Sequence, residues 1–267
     1  MESIKRNWWW LYSLISGIAM VFYLSAWVTL ERAMGVVKPI PIEIIAMGAL
    51  SSALFYMILR WPKEHRKSPY RFAALYGALL SSGAYVIQCQ QFSSSNNNAT
   101  AWLLILSACT IAAMYAPGAI LKQMQGGIRK YYLAKTCAVA WCWSVWALLP
   151  LLFLNTPQIA HLFGISFLFI SGMVIITDAL DGHERQLFFA RRLQWLIVVM
   201  GLIFSAEVIL HIAFKHHVIS FGLVLSALPA LVFSQTRYRL LAAFLVDGGL
   251  MIWYVFLSWN AVLQTLP

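Results

Sequence analysis

The sequence predicts an all-α protein, one integral membrane domain over residues 1–267 built as a bundle of nine transmembrane helices. Three observations predict it. The mean hydropathy is +0.76 and only 10% of residues are charged, against about a quarter in a soluble domain. Nine apolar runs follow one another along the chain, each about long enough to cross the hydrocarbon of a bilayer as a helix. The 19 lysines and arginines are split unevenly, with 16 in alternate connections and three in the others. Such a bias sets membrane orientation: the rich side is cytoplasmic, so the amino terminus lies inside and the carboxyl terminus outside.

The spans, in order, start with residues 8–30. Lys5 and Arg6 precede them, and Trp8, Trp9 and Trp10 fit an interfacial aromatic belt. No small-residue cleavage site follows, so this reads as a retained span rather than a signal peptide. Residues 42–59 and 72–88 are the second and third spans, joined by the basic, proline-punctuated connection RWPKEHRKSPYR. The outer loop after the third span, QFSSSNNNAT, is uncharged and rich in turn-forming Ser and Asn. It contains a formal glycosylation sequon, Asn98-Ala99-Thr100, of a kind that chance produces often. Residues 101–121 are the fourth span and 133–154 the fifth. Trp141, Trp143 and Trp146 point around the fifth in different directions, where packing is the simpler reading and an aromatic wall around an isoprenoid cation the sharper one. Residues 159–177, 193–212, 218–233 and 240–259 complete the set, and no internal repeat is visible.

The net charge of +10 would suit nucleic acid if it were not distributed this way. Topology and attraction to anionic lipid headgroups account for it. Cys89, Cys109, Cys137 and Cys142 lie in or beside apolar stretches without a ligand-type spacing, and read as free buried thiols.

Acidic residues number nine, and Asp178, Asp181 and Glu184 are three of them, clustered where the sixth span runs into TDALDGHERQ. Steps of three along a helix keep these carboxylates within an arc of roughly 120°. Clustered oxygen donors at a membrane surface suit a hard divalent cation carrying a diphosphate. A self-paired, solvated helix end is the competing reading, because Arg185 stands four residues after Asp181. Glu207 and His211 share one face of the seventh span near its outer end, where a snorkelling or mutually neutralised pair is favoured over a proton relay. Asp247 lies deeper, beside Gly248 and Gly249, which permit close helix approach.

Four stretches carry a family resemblance: AWVTLERAMG closing the first span, MYAPGAILKQMQGGIRKYYLAKTCAVAWCWSVWALLP across the fourth and fifth, ISGMVIITDALDGHERQ at the end of the sixth, and RYRLLAAFLVDGGL leading into the ninth. In their order and spacing they resemble the UbiA superfamily of intramembrane prenyltransferases, in particular its diverged short members from Bacteroidetes-type bacteria. The resemblance implies a nine-helix bundle in a bacterial inner membrane and transfer of a prenyl group from a prenyl diphosphate to a lipid or aromatic acceptor, as in quinone or carotenoid biosynthesis. It implies two aspartate-rich motifs holding Mg²⁺ against the diphosphate, with Asp178 and Asp181 at the first two acidic positions of the second motif and catalytic. Glu184 falls one residue early for the next ligand, whose place Arg185 takes. Lys122 and Lys135 occupy diphosphate-facing positions, Lys135 counted among the catalytic residues.

The chain departs from the family pattern after the second span, where the first motif is missing and Glu64 is the single acid. Arg60, Lys63 and Arg66 stand there instead, able to bind a diphosphate directly but not a metal. The departure opens a second reading: a non-catalytic descendant that binds lipid or serves as a subunit of a membrane complex.

Overall fold

The computed structural model describes residues 40–59, 68–93, 98–115, 127–128, 131–154 and 159–181, together with Leu14, Gly17, Ile18 and Val21 of the first span. Every regular element among them is helical: α1 (Ile42–Leu59), α2 (Pro69–Ser93), α3 (Ala99–Tyr115), α4 (Tyr132–Ala147), α5 (Leu149–Leu154) and α6 (Ile159–Asp181). By length and composition α2 can cross a membrane, and Ile42–Phe55, Ala99–Tyr115 and Ile159–Leu168 are shorter apolar helical stretches. The seventh to ninth spans lie outside the described residues.

Local chemistry explains where these helices begin. Pro41 precedes α1 and its carbonyl accepts from the Ile44 N–H at 3.1 Å, while Glu43 in the first turn complements the positive end of the helix dipole. Pro69 opens α2, the position where a missing N–H and a fixed φ are favourable. Asn98 caps α3: its Oδ1 accepts from the Ala101 N–H at 3.1 Å. The third span is longer than its apolar core suggests, because α2 runs on through Gln90 and Gln91 to Ser93.

The fifth span is not the single helix expected over 133–154. It breaks at Leu148, with α4 on one side and the short α5 on the other. Pro150 is the cause. It has no N–H to give the carbonyl of Trp146, four residues back, and its ring crowds that carbonyl. The freed Trp146 oxygen accepts instead from the Tyr85 hydroxyl of α2 at 3.0 Å.

Along α2 and α3, packing puts mostly small residues inside and large ones outside, while the largest fully buried side chains among the described residues, Tyr85, Phe153, Leu148, Leu149 and Leu151, belong to α2 and to the α4–α5 junction. On α2, Ala74, Ala78, Ser81, Tyr85 and Cys89 are buried, whereas Phe72, Tyr76, Leu79 and Leu80 are exposed. On α3, Ala101, Ile105 and Ala108 are buried while Trp102, Leu103 and Leu106 face outward. Water drives the largest apolar side chains inward, so this order is the reverse of what water selects. It is the order expected where helices pack through small side chains and the surroundings are as apolar as leucine. Gly17 illustrates the close approach: a Cβ there would meet the Ala53 Cβ at 3.0 Å and the Ala49 carbonyl oxygen at 3.1 Å. The helix neighbours are α1 with α2, α2 with α5, α3 with α4 and α5, and α4 with α6.

Candidate functional site

Positions 178 and 181 of α6 and Lys135 of α4 lie toward one end of the α4–α6 pair. These helices run antiparallel, joined where the Ser166 hydroxyl donates to the Ser144 hydroxyl at 3.0 Å. The Trp141 ring packs edge-on against Phe163 and Phe167 at centroid distances of 5.0 and 6.4 Å. Stepping equally far back along α4 and forward along α6 from the serine pair brings Lys135 level with Ile175. At 1.5 Å per residue, Asp178 lies about 4.5 Å farther along α6 and Asp181 about 9 Å farther.

Helical spacing places positions 178 and 181 on the half of α6 that carries the buried Leu162, Ser166, Ile170 and Ser171. Asp181 is the last residue of α6. Unpaired carbonyls give a helix carboxyl end a partial negative charge, so carboxylates there are unfavourable unless a cation joins them. Two carboxylates one turn apart on one face supply the hard oxygen donors that Mg²⁺ takes.

Lys135 is buried, 8% exposed, at the end of the first turn of α4. By helical spacing it shares its stripe with Trp146, which faces α1 and α2, and not with Ser144, which faces α6. The charged groups therefore gather at one end of α4 but on different sides of it. Glu184, Lys122, Arg60, Lys63, Arg66, Glu207, His211 and Asp247 lie outside the described residues. Among the described residues no group of three His, Cys, Asp or Glu comes together. The four cysteines are free, as expected, but not all are buried: Cys89 is, Cys142 is half-buried, and Cys109 and Cys137 are exposed.

Trp141 and Trp146 are packing elements. Trp141 donates its Nε1 hydrogen to the Ser107 hydroxyl at 2.9 Å, bridging α4 to α3. Trp146 does the same toward Ser51 of α1 at 2.9 Å, and its ring meets Tyr85 at 5.2 Å. Asn98 is buried, and its amide nitrogen donates to the carbonyls of Leu152 and Phe153, the latter at 3.3 Å. An amide so engaged offers no acceptor for a glycan.

Sequence reasoning passed over two features. Arg71 reads as one more charge in a basic connection, yet it stands within the first turn of α2 with its Nε fully buried. Tracing the small-residue stripe Ala78, Ala74 back to the start of α2 would have found it. The Ser144–Ser166 pair has no local signal, since two serines in apolar runs mean little until the helices are docked. No protein-family model, curated protein or solved structure matches this chain.

Proposed function

We propose that the chain is a polytopic membrane protein of the nine-span, UbiA-like kind, which binds a prenyl diphosphate at its cytoplasmic end and transfers the prenyl group to a lipid-soluble acceptor. The observation that carries the reading is that the buried Lys135 of α4 and positions 178 and 181 of α6 lie toward the same end of the two helices. The inverted packing of α2 and α3 supports the membrane setting, since it leaves their largest apolar side chains facing outward.

In this reading Asp178 and Asp181, with Glu184, hold Mg²⁺, which when bound neutralises the charge gathering on the departing diphosphate. Lys135 approaches the diphosphate from the other side of α4 and stabilises the same charge as the allylic carbon–oxygen bond breaks. Lys122, Arg60, Lys63 and Arg66 add positive charge from the same membrane face. The acceptor forms the new bond to the allylic carbon and loses a proton.

A second reading is favoured by one feature of the sequence. The connection after the second span has Arg60, Lys63 and Arg66 where a second set of carboxylates would complete the metal site. A protein of that composition could bind a lipid or a partner subunit without turnover.

One experiment addresses both. Purified protein should gain thermal stability from Mg²⁺ plus a prenyl diphosphate, by about 2.7 kcal/mol at a hundredfold excess over Kd. Asp178→Asn with Asp181→Asn should abolish that gain. A shift that survives in the double variant moves the site away from α6. A shift in wild type without turnover of any donor and acceptor pair leaves the non-catalytic reading standing.

A further inference from the structure

We propose that Ser171 of α6 selects the acceptor: its hydroxyl hydrogen-bonds an oxygen of a lipid-soluble molecule lying along α6 below positions 178 and 181. Calling that molecule the acceptor rests on the prenyl-transfer reading; the hydrogen bond does not. Ser171 is 6% exposed, and its Oγ is fully buried without a hydrogen-bond partner. The Ser51, Ser81 and Ser107 hydroxyls each donate to the carbonyl three residues back, at 2.9, 3.2 and 2.7 Å. Ser144 and Ser166 bond each other at 3.0 Å. Ser171 uses neither device. A buried hydroxyl left unbonded is costly, and the apolar part of a membrane holds no water to repair it.

Helical spacing puts Ser171 on one stripe with groups to either side of it. Positions 163, 167, 171, 174 and 178 follow one another at steps of three or four, so they share one face of α6. Phe163 and Phe167 on that stripe meet the Trp141 ring of α4 at 5.0 and 6.4 Å. Counting equally from the Ser144–Ser166 bond, Trp141 lies level with position 169, about 3 Å short of Ser171. Position 178 lies about 10 Å beyond Ser171 in the other direction. This face of α6 therefore runs from an aromatic cluster, past one unbonded hydroxyl, to two acidic positions at the end of the helix.

That order of groups suits an apolar molecule that carries an oxygen. The aromatic cluster favours a flat ring beside it, by edge-to-face packing. A diphosphate at the acidic positions and one aromatic ring, placed end to end, would reach from the end of α6 to Ser171. A serine hydroxyl both donates and accepts, so it can bond a carbonyl or a hydroxyl oxygen. A hydrocarbon acceptor, such as a polyene, would leave the Ser171 hydroxyl unbonded and gain nothing from it. Ser171 thereby separates an oxygen-bearing acceptor from a hydrocarbon one of similar shape.

The test uses the full chain in phosphatidylcholine nanodiscs, without Mg²⁺ or diphosphate, and follows thermal unfolding as each of three probes is added. They are para-nonylphenol, which bears a hydroxyl, decyl-benzoquinone, which bears carbonyls, and nonylbenzene, which bears no oxygen. Ser171→Ala should weaken binding of the phenol or the quinone by roughly three- to tenfold, the worth of one net hydrogen bond, and leave nonylbenzene unchanged. Ser171→Thr keeps the hydroxyl and should retain most of the wild-type affinity. A loss confined to the phenol assigns a hydroxyl-bearing ligand, and one confined to the quinone a carbonyl-bearing ligand. Wild-type affinity for both in Ser171→Ala overturns the proposal, as does a wild-type protein that answers none of the probes. An equal loss for nonylbenzene would make Ser171 a packing residue and overturn it too. If the Ser171 effect holds while Mg²⁺ with a prenyl diphosphate gives no shift, prenyl transfer falls and the hydrogen bond stands.

Discussion

The two ends of the described bundle use polar groups in opposite ways. At the Asn98 end they tie helices together. Asn98 caps α3 and holds the carbonyls that end α5, while Tyr85 satisfies the oxygen that Pro150 leaves free. The Asn98 amide and the Tyr85 hydroxyl each donate to a backbone carbonyl of another helix. At the Lys135 end the polar groups are charged, stand at helix termini and gather carboxylates of like sign at the negative end of α6. The contrast separates groups that tie helices together from groups that, in the proposed reading, a ligand would join. In a stability measurement the first kind should lose on neutral substitution and the second should gain.

That contrast can be broken by substitution, starting with the largest expected effect. Asn98→Leu removes a helix cap and strands two buried carbonyls, and should cost on the order of 3 kcal/mol in reversible unfolding. A loss below about 1 kcal/mol would mean that the Asn98 end is not a structural clamp. Gly17→Ala places a methyl group against the Ala49 carbonyl oxygen at 3.1 Å and should destabilise by about 1–2 kcal/mol. Gly83, where nothing lies within 4 Å of an added Cβ, is the control: Gly83→Ala should stabilise by about 0.5–1 kcal/mol through helix propensity.

Tyr85→Phe keeps the ring against Trp146 and deletes one hydrogen bond, and should cost about 0.6–1.7 kcal/mol, the range found for hydrogen bonds between membrane helices. The smallest effect has the opposite sign. Without metal or diphosphate, Asp178→Asn with Asp181→Asn should stabilise by about 0.5 kcal/mol, because it relieves repulsion between carboxylates and with the helix end. A clear loss would show that these carboxylates are structural.

Orientation is a separate matter that labelling can decide. Single cysteines at positions 66 and 94 should react from opposite sides of the membrane, position 66 from the cytoplasm. Reaction from one side would end the nine-span topology.

The sequence by itself determined the helices and some of their limits. Residues 42–59 form a helix with the boundaries the apolar run predicts, whereas the next two helices start at Pro69 and Ala99, ahead of the apolar runs that begin at 72 and 101. It also determined that acids cluster at the end of the sixth span, since a helix C-terminus rich in carboxylates is visible in a linear string. Tertiary structure decided what local rules cannot see. Pro150 announces a broken backbone bond, but the donor that repairs it, Tyr85, lies 61 residues away. The sequon at Asn98 looks accessible until α5 docks against it and takes up its amide. Lys135 reads as a partner for the α6 carboxylates because all lie at one membrane face. Only the docking of α4, with Ser144 toward α6 and Trp146 toward α1 and α2, sets it on a different side of α4 from α6. Period and composition fix what a helix presents; which neighbour receives it depends on contacts between residues far apart in the chain.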